Sequence, residues 1–316
     1  MGVTTETGEF SYLPHQAETL GVPAPSVKRL TLTLPDGREL SALRYGDGDP
    51  AVTLLHGAGL NAHTWDTTVL LLQQPALAID LAGHGDSSWR TDADYSGRTL
   101  APDVALALQE WTNSPQILVG QSLGGLTAAA LASTHPDLVR DVVVVDITPG
   151  IDASGGPAAL RAFYEGPTDF ATRDELVDRA MSLGFGGTRP ETERGVFLNT
   201  RVRADGRIEW KHHFAHLAAA ALAQPAPDSA TDATAPEASA NRAILSASGW
   251  EDLTAASVPI TLVRATRGFV SAADADQWQQ HLPTGRVVAL DATHNVQETA
   301  PGELARLVRD ALDSPA

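Results

Sequence analysis

Gly120-Gln121-Ser122-Leu123-Gly124, with Gly125 behind it, sets a serine among glycines at a spacing that suits nucleophilic chemistry. Apolar QILV stands directly before this run and a helix-like segment directly after it, so the serine falls on a sharp strand-to-helix turn. Such a turn strains the serine backbone, and the flanking glycines leave room for the crossing chain. The hydroxyl then projects above a sheet edge at a helix N-terminus. A second run, His56-Gly57-Ala58-Gly59, stands at the end of AVTLL. Here the chain turns off a strand and can aim a main-chain N–H, that of Ala58, at the point reached by the N–H of Leu123. Two such donors form an oxyanion hole. They hold the charge that develops on a carbonyl oxygen as it becomes tetrahedral, and losing one typically costs about 2.7–4 kcal/mol of barrier. A serine nucleophile needs a base. Ten histidines are available: His15, His56, His63, His84, His135, His212, His213, His216, His281 and His294.

These residues require a frame. RLTLTL (29–34) alternates apolar and polar residues, Pro35-Asp36-Gly37 supplies turn chemistry, and ELSALRY (39–45) follows, which predicts an antiparallel hairpin. AVTLLH (51–56), ALAID (76–80), QILVG (116–120), VVVVD (142–146), PITLVR (259–264) and RVVALD (286–291) are unbroken apolar runs. They read as strands buried on both faces of a parallel sheet. Helix-like segments at 100–112, 126–139, 272–282 and 301–312 alternate with them. The order predicts an α/β fold, a mostly parallel doubly wound sheet with the hairpin at one edge. Its core takes in residues 27–146 and 258–316. Residues 1–26 are polar and punctuated by Pro14, Pro23 and Pro25, and read as an arm lying on the core or as disorder. Residues 147–257 lack a comparable strand run but hold helix-like stretches at 172–183 and 212–223, which predicts an inserted helical cap. Within it, residues 224–240 (QPAPDSATDATAPEASA) are low in complexity and read as a mobile loop.

HGAG follows the first buried strand, Asp80-Leu81-Ala82-Gly83-His84-Gly85-Asp86-Ser87 the second and GQSLGG the third, and a histidine comes late. This ordered set resembles the α/β-hydrolase superfamily. The runs Asn61-Ala62-His63-Thr64-Trp65-Asp66 and Asp146-Ile147-Thr148-Pro149 resemble, within it, small capped serine esterases of actinobacterial type. The resemblance covers about residues 28–146 and 258–312 and leaves out the cap. It implies that His84, Gly85 and Asp86 brace a loop and do not react. It also implies a base in the short loop after the last strand, where His294 stands, although the family usually has Gly where Thr293 precedes it. A neutral imidazole there can take the Ser122 proton and return it to a leaving alcohol. The commonest family arrangement puts the acid in the loop after the penultimate strand, and Gly268 occupies that place. Some branches carry it at an earlier strand end, where Asp146 closes VVVVD and could reach the outer nitrogen of His294. Asp146 is the acid expected, with Asp274 and Asp291 as runners-up. A plain turn-capping role for Asp146, and a degenerate triad, stay open.

The resemblance thus implies a serine carboxylesterase acting on small to medium, largely apolar esters through an acyl-enzyme, with no cofactor. Lactone, thioester, amide or carbon–carbon hydrolysis would use the same core. A ligand-binding signalling receptor with vestigial hydrolysis is the reading from another class, and the absent acid at Gly268 keeps it open. Ser122 disfavours dehalogenation, which needs a carboxylate at the elbow. Composition narrows the partners. With no cysteine among 316 residues, thiolate metal sites, disulfides and a cysteine nucleophile are excluded. Asp and Glu number 39 against 22 Lys and Arg, a net charge of −17 that repels nucleic acid and anionic lipid. The first ten residues lack a basic stretch followed by an apolar one, and no run approaches the ~18 apolar residues that cross a bilayer. A cytoplasmic protein with a small-molecule substrate is the expectation. His212 and His216 are spaced as i and i+4 on one helix face, but neither HExxH nor a third ligand accompanies them, so no metal is expected.

Overall fold

The computed structural model describes residues 8–151, 158, 162–183, 187–222 and 249–314. The low-complexity stretch 224–240 lies outside the described residues. Helix α1 (Leu13–Leu20) precedes the hairpin of β1 (Val27–Thr33) and β2 (Glu39–Tyr45). Then come β3 (Val52–Leu55), α2 (Asp66–Leu72), β4 (Ala76–Asp80), α3 (Gly97–Trp111), β5 (Gln116–Gln121), α4 (Leu123–Thr134) and β6 (Val139–Val145). The insertion contributes β7 (Asp169–Phe170), α5 (Arg173–Ser182), α6 (Arg189–Leu198), β8 (Thr200–Val202), β9 (Ile208–Trp210) and α7 (Phe214–Leu222). The chain closes with α8 (Gly249–Ala255), β10 (Ile260–Arg267), α9 (Ala272–His281), β11 (Arg286–Thr293), α10 (Val296–Thr299) and α11 (Pro301–Asp313).

Eight strands form one sheet in the order β1-β2-β4-β3-β5-β6-β10-β11. The pairs β1/β2 and β2/β4 are antiparallel and the others parallel, as the sequence pattern predicts. Alternate residues of the central strands feed two separate cores. On β5, Leu118 packs to one face while Ile117 and Val119 pack to the other; on β6, Val142 and Val144 oppose Val143 and Val145. With both faces covered, a central strand has no polar side, which is why those stretches read as unbroken apolar runs. Helix α4 lies against the sheet backbone itself. A Cβ on Gly124 would come 2.2 Å from the Leu55 carbonyl oxygen, and one on Gly120 would come 2.2 Å from the Gly124 oxygen. The two glycines thus permit the approach that seats the start of α4 beside the ends of β3 and β5.

Three features outside the central sheet bear on the site. The N-terminal arm lies on the core: Pro14 opens α1, Gly21 closes it at φ 67, and Leu13 and Ala17 are buried beside Val69 and Leu70 of α2. The insertion is not wholly helical, since β7, β9 and β8 form an antiparallel sheet. Strands of two or three residues leave too short a pattern to read. Phe170, Leu176, Val177, Val196, Ile208, Trp210 and Ala215 give the insertion a core of its own. Helix α8, assigned to the cap from sequence, instead packs with the main core. Its Leu253 joins the cluster holding Leu100 and Leu126, and Asp252 accepts from Arg98 Nε at 2.9 Å. Among the described residues no helix is long and apolar enough to cross a membrane.

Candidate active site

Ser122 links β5 to α4 with φ 52 and ψ −117. A side-chain-bearing residue adopts this region only when its surroundings hold it there. Its N–H donates to the Val145 carbonyl at 3.0 Å, and its own carbonyl accepts from Gly125 N–H at 2.8 Å. Ser122 is thus tied to the last residue of β6. The next residue along that strand is Asp146, itself at φ 50, with its N–H donated to Val263 O at 2.8 Å. The Asp146 carboxylate is wholly buried. Oδ1 accepts the Ala265 N–H at 3.0 Å, and Oδ2 accepts the Phe269 N–H at 2.7 Å and Nδ1–H of His294 at 2.8 Å. An ionised carboxylate only accepts, so this contact assigns the proton to Nδ1 and leaves the lone pair on Nε2. The ring stacks on Phe269, centroids 3.5 Å apart and planes 9° from parallel. Gln121, the residue before Ser122, donates from Nε2 to His294 O at 3.3 Å.

Of the candidate acids, Asp146 is the one the fold brings to His294. Asp274 accepts the Ser271 N–H and closes the capping box of α9. Asp291 pairs on the surface with Arg267 at 3.0 Å. Gly268 explains the displaced acid in steric terms, because a Cβ there would lie 2.1 Å from Asp146 Oδ2. The Asp146 carboxylate occupies the space that an acid rooted at 268 would need. Its donors come from β10, the loop after it and His294, so its role is not to cap the Thr148-Pro149 turn.

Leu123 opens α4, where N–H groups have no intrahelical acceptor. Ala58 is aligned by His56, whose ring is fully buried. Nε2 of His56 accepts the Leu81 N–H at 2.9 Å, so Nδ1 is the donor, and it donates to Gly57 O at 2.8 Å. Across a trans peptide the Gly57 carbonyl and the Ala58 N–H point in opposite directions, so the ring that holds one orients the other. Burial depresses the His56 pKa and keeps the ring neutral. This role for His56 was missed from sequence; its place directly before the glycine was the available signal. The turn through His84, Gly85 and Asp86 is held against β4, as Asp80 accepts the Asp86 N–H at 3.1 Å and Arg29 Nη1 at 2.8 Å.

The expected pairing of His212 and His216 on one helical face does not occur. Helix α7 starts only at Phe214, which leaves His212 and His213 in the bend before it. His212 is buried between Trp210 and Tyr164, ring centroids 5.3 and 5.1 Å away, and burial pushes its pKa down to about 3. His213 turns instead onto Trp89, stacked at 4.4 Å, with Tyr95 Oη 2.7 Å from Nδ1. Among the described residues no three potential metal ligands converge.

The sheet order, the strained serine and the buried carboxylate on a late histidine define a class, and the model of the alpha/beta hydrolase family matches residues 54–307. The chain belongs to that family. It is 34% identical to Esterase Rv0045c of Mycobacterium tuberculosis over 98% of this chain and 97% of that protein. The crystal structure of that esterase matches with a TM-score of 0.75, covering 98% of this chain and 99% of the other. The sn-1-specific diacylglycerol lipase ABHD11 of Mus musculus is 31% identical over 54% of this chain and 59% of its own length. E-2-(acetamidomethylene)succinate hydrolase, at 22% identity, TM-score 0.72 and coverage of 92% and 100%, shares the fold.

Proposed function

We propose that the protein is a serine carboxylesterase that hydrolyses small to medium, largely apolar carboxylic esters through an acyl-enzyme. The observation that carries this reading is the buried Asp146 carboxylate on Nδ1 of His294, 2.8 Å away, which leaves Nε2 as the basic nitrogen. Ser122 Oγ attacks the ester carbonyl and passes its proton to His294 Nε2, while the N–H groups of Ala58 and Leu123 hold the oxyanion. The imidazolium, stabilised by Asp146, returns the proton to the departing alkoxide. Water then repeats the cycle on the acyl-enzyme. No step calls on a cofactor. Similarity to an esterase along nearly the whole chain supports the bond type. The signal-receptor reading loses its motive, since an acid rooted at Asp146 fills the space beside Gly268.

The test is turnover of p-nitrophenyl esters of graded acyl length. Wild-type protein should give steady turnover, and Ser122→Ala should give none while its melting temperature and circular dichroism stay unchanged. Turnover that survives in Ser122→Ala, or one equivalent of product followed by silence in the wild type, would overturn the reading.

A further inference from the structure

Three consecutive carbonyls of the loop that presents the Ala58 N–H are held. Gly57 O is held from within the core, by His56 Nδ1 at 2.8 Å and by Leu60 N–H at 3.2 Å. The next two are held by the insertion. Tyr164 Oη donates to Ala58 O at 2.7 Å, and Asn199 Nδ2 donates to Gly59 O at 2.5 Å. The amide of Asn199 is itself oriented: its Oδ1 accepts from Asn61 Nδ2 at 3.1 Å, and that same Nδ2 donates to Leu198 O at 3.0 Å. Tyr164 is fixed from behind by Phe214, stacked at 5.8 Å, and by the edge of His212 at 5.1 Å. Burial raises the phenol's pKa, so it remains a donor. The loop is shaped to receive this phenol. Gly59 sits at φ 75, and a Cβ there would come 1.9 Å from Tyr164 Oη.

We infer that Tyr164 and Asn199 are positioning residues for the oxyanion site, through which the cap sets the direction of the Ala58 N–H. Resting on the esterase reading above, this inference deepens it: the insertion then covers the ester and also completes the catalytic geometry. The peptide planes of Ala58-Gly59 and Gly59-Leu60 are pinned by two donors from separate cap segments, and the dihedrals of Ala58 cannot change without breaking one of them. An oxyanion donor acts only at the geometry of the tetrahedral state. A loosened loop should therefore lower kcat and leave ground-state binding nearly as it was.

The experiment compares Tyr164→Phe and Asn199→Ala with wild type on p-nitrophenyl butyrate. Alongside, it measures inhibition by an alkyl trifluoromethyl ketone. Attack by Ser122 Oγ turns the ketone carbonyl into a bound oxyanion, with the serine proton on His294 Nε2. Tyr164→Phe keeps the ring packing and removes one hydrogen bond. We expect kcat to fall about tenfold with KM within about twofold, and the ketone to bind weaker by the same factor. Asn199→Ala should behave likewise. Gly59→Ala, which must drive the phenol from its seat, should make a later Tyr164→Phe change nearly silent. Unchanged kcat and ketone affinity would overturn the inference, as would a rise in KM alone or fully additive losses in the double variant. Ser122→Ala separates the two levels. If it still turns over, the esterase reading fails; if it is dead while Tyr164→Phe is normal, only the positioning role fails.

Discussion

Asp80 and Asp146 are built alike, with two strands, β3 and β5, between them. Each ends an inner strand of the sheet or follows its last residue, and each is almost entirely buried, at 1% and 0% exposure. Each fills space left by a glycine of a neighbouring loop: a Cβ would lie 2.3 Å from the Asp80 carboxylate at Gly85, and 2.1 Å from that of Asp146 at Gly268. Each takes two backbone N–H donors, from Ala62 and Asp86 in one case and Ala265 and Phe269 in the other. They differ in the third donor. Asp80 faces the guanidinium of Arg29 at 2.8 Å, a charge that never leaves. Although burial pushes its carboxyl up, Arg29 and the backbone donors hold it below the usual range. Asp146 faces an imidazole, which can gain and lose a proton within one turnover. On the proposed mechanism, burial and full hydrogen bonding are therefore common to a structural carboxylate and to one that supports a base. The partner's capacity to change charge separates them.

Exchanging each acid for its amide should split the pair most widely. In Asp146→Asn the amide can present its NH2 to Nδ1 and turn the imidazole to the wrong tautomer, so kcat should drop about 10⁴-fold while the melting temperature moves by a few degrees at most. Asp274→Asn and Asp291→Asn should leave kcat near wild type, and a loss equal to that of Asp146→Asn would move the acid elsewhere. Asp80→Asn should show the opposite pattern. It leaves Arg29 short of a buried counter-charge and should lose roughly 3 kcal/mol of stability, with kcat per folded molecule nearly intact. Denaturant melts and active-site titration measure the two quantities separately. A stable but inactive Asp80→Asn would break the comparison.

The two glycines sharpen it at smaller scale. Gly268 needs no left-handed backbone, so Gly268→Ala acts by pushing the Asp146 carboxylate aside. A displacement of that kind should lower kcat about 10²-fold with little loss of stability. Gly85 sits at φ 53, so Gly85→Ala adds backbone strain to the clash and should reduce stability by about 1–3 kcal/mol while sparing kcat. Equal effects on both quantities at both sites would show that the two loops are not specialised.

The legibility of these features follows from how local their causes are. Strands β2 and β4 fall on the predicted residues 39–45 and 76–80, because a buried strand carries its signal in consecutive side chains. Ser122 was readable for a similar reason, since the backbone strain at the elbow demands glycines within two residues of it. Asp146 is the first choice of acid from sequence, but Asp274 and Asp291 stay open beside it. Its selection depends on Gly268 and Phe269, far along the chain, and no local pattern reports that an empty position there receives a carboxylate from β6. The cap was hardest. Its three strands have two or three residues each, and the bonds from Tyr164 and Asn199 to Ala58 and Gly59 join segments separated by more than a hundred residues. Helix α8 falls within the residues read as cap yet packs with the main core, because its sequence does not say which core Leu253 joins.

The smallest expected effect lies where the Asp80 network reaches the N-terminal arm. Arg29 also holds Glu9 at 2.6 Å, and Glu9 lies 3.4 Å from Nε2 of His63, whose Nδ1 meets Asp66 at 3.0 Å. Burial opposes a charge on His63, but Asp66 and Glu9 outweigh it and raise the pKa from 6.5 to about 9. Burial likewise opposes the Glu9 carboxylate, and the hydrogen bonds from His63 and Arg29 bring it from 4.5 down to about 2. The folded-state pKa of His63 lies above its unfolded value, so its contribution is complete below pH 6.5 and disappears as pH rises through about 9. For Glu9 the sign reverses: its contribution is present above pH 4.5 and is lost as pH falls through about 2. Glu9 is 32% exposed, so solvent screens its share of the shift, and the buried Asp66 at 3.0 Å carries the larger part. Melting temperatures taken from pH 6 to 10 should fall more steeply for wild type than for His63→Gln, and kcat should not follow that difference. Parallel curves for the two proteins would mean that no proton is held at His63. The permanent charge of Arg29 would then be the cation that faces Asp80 directly, and the contrast with Asp146 would be sharper still.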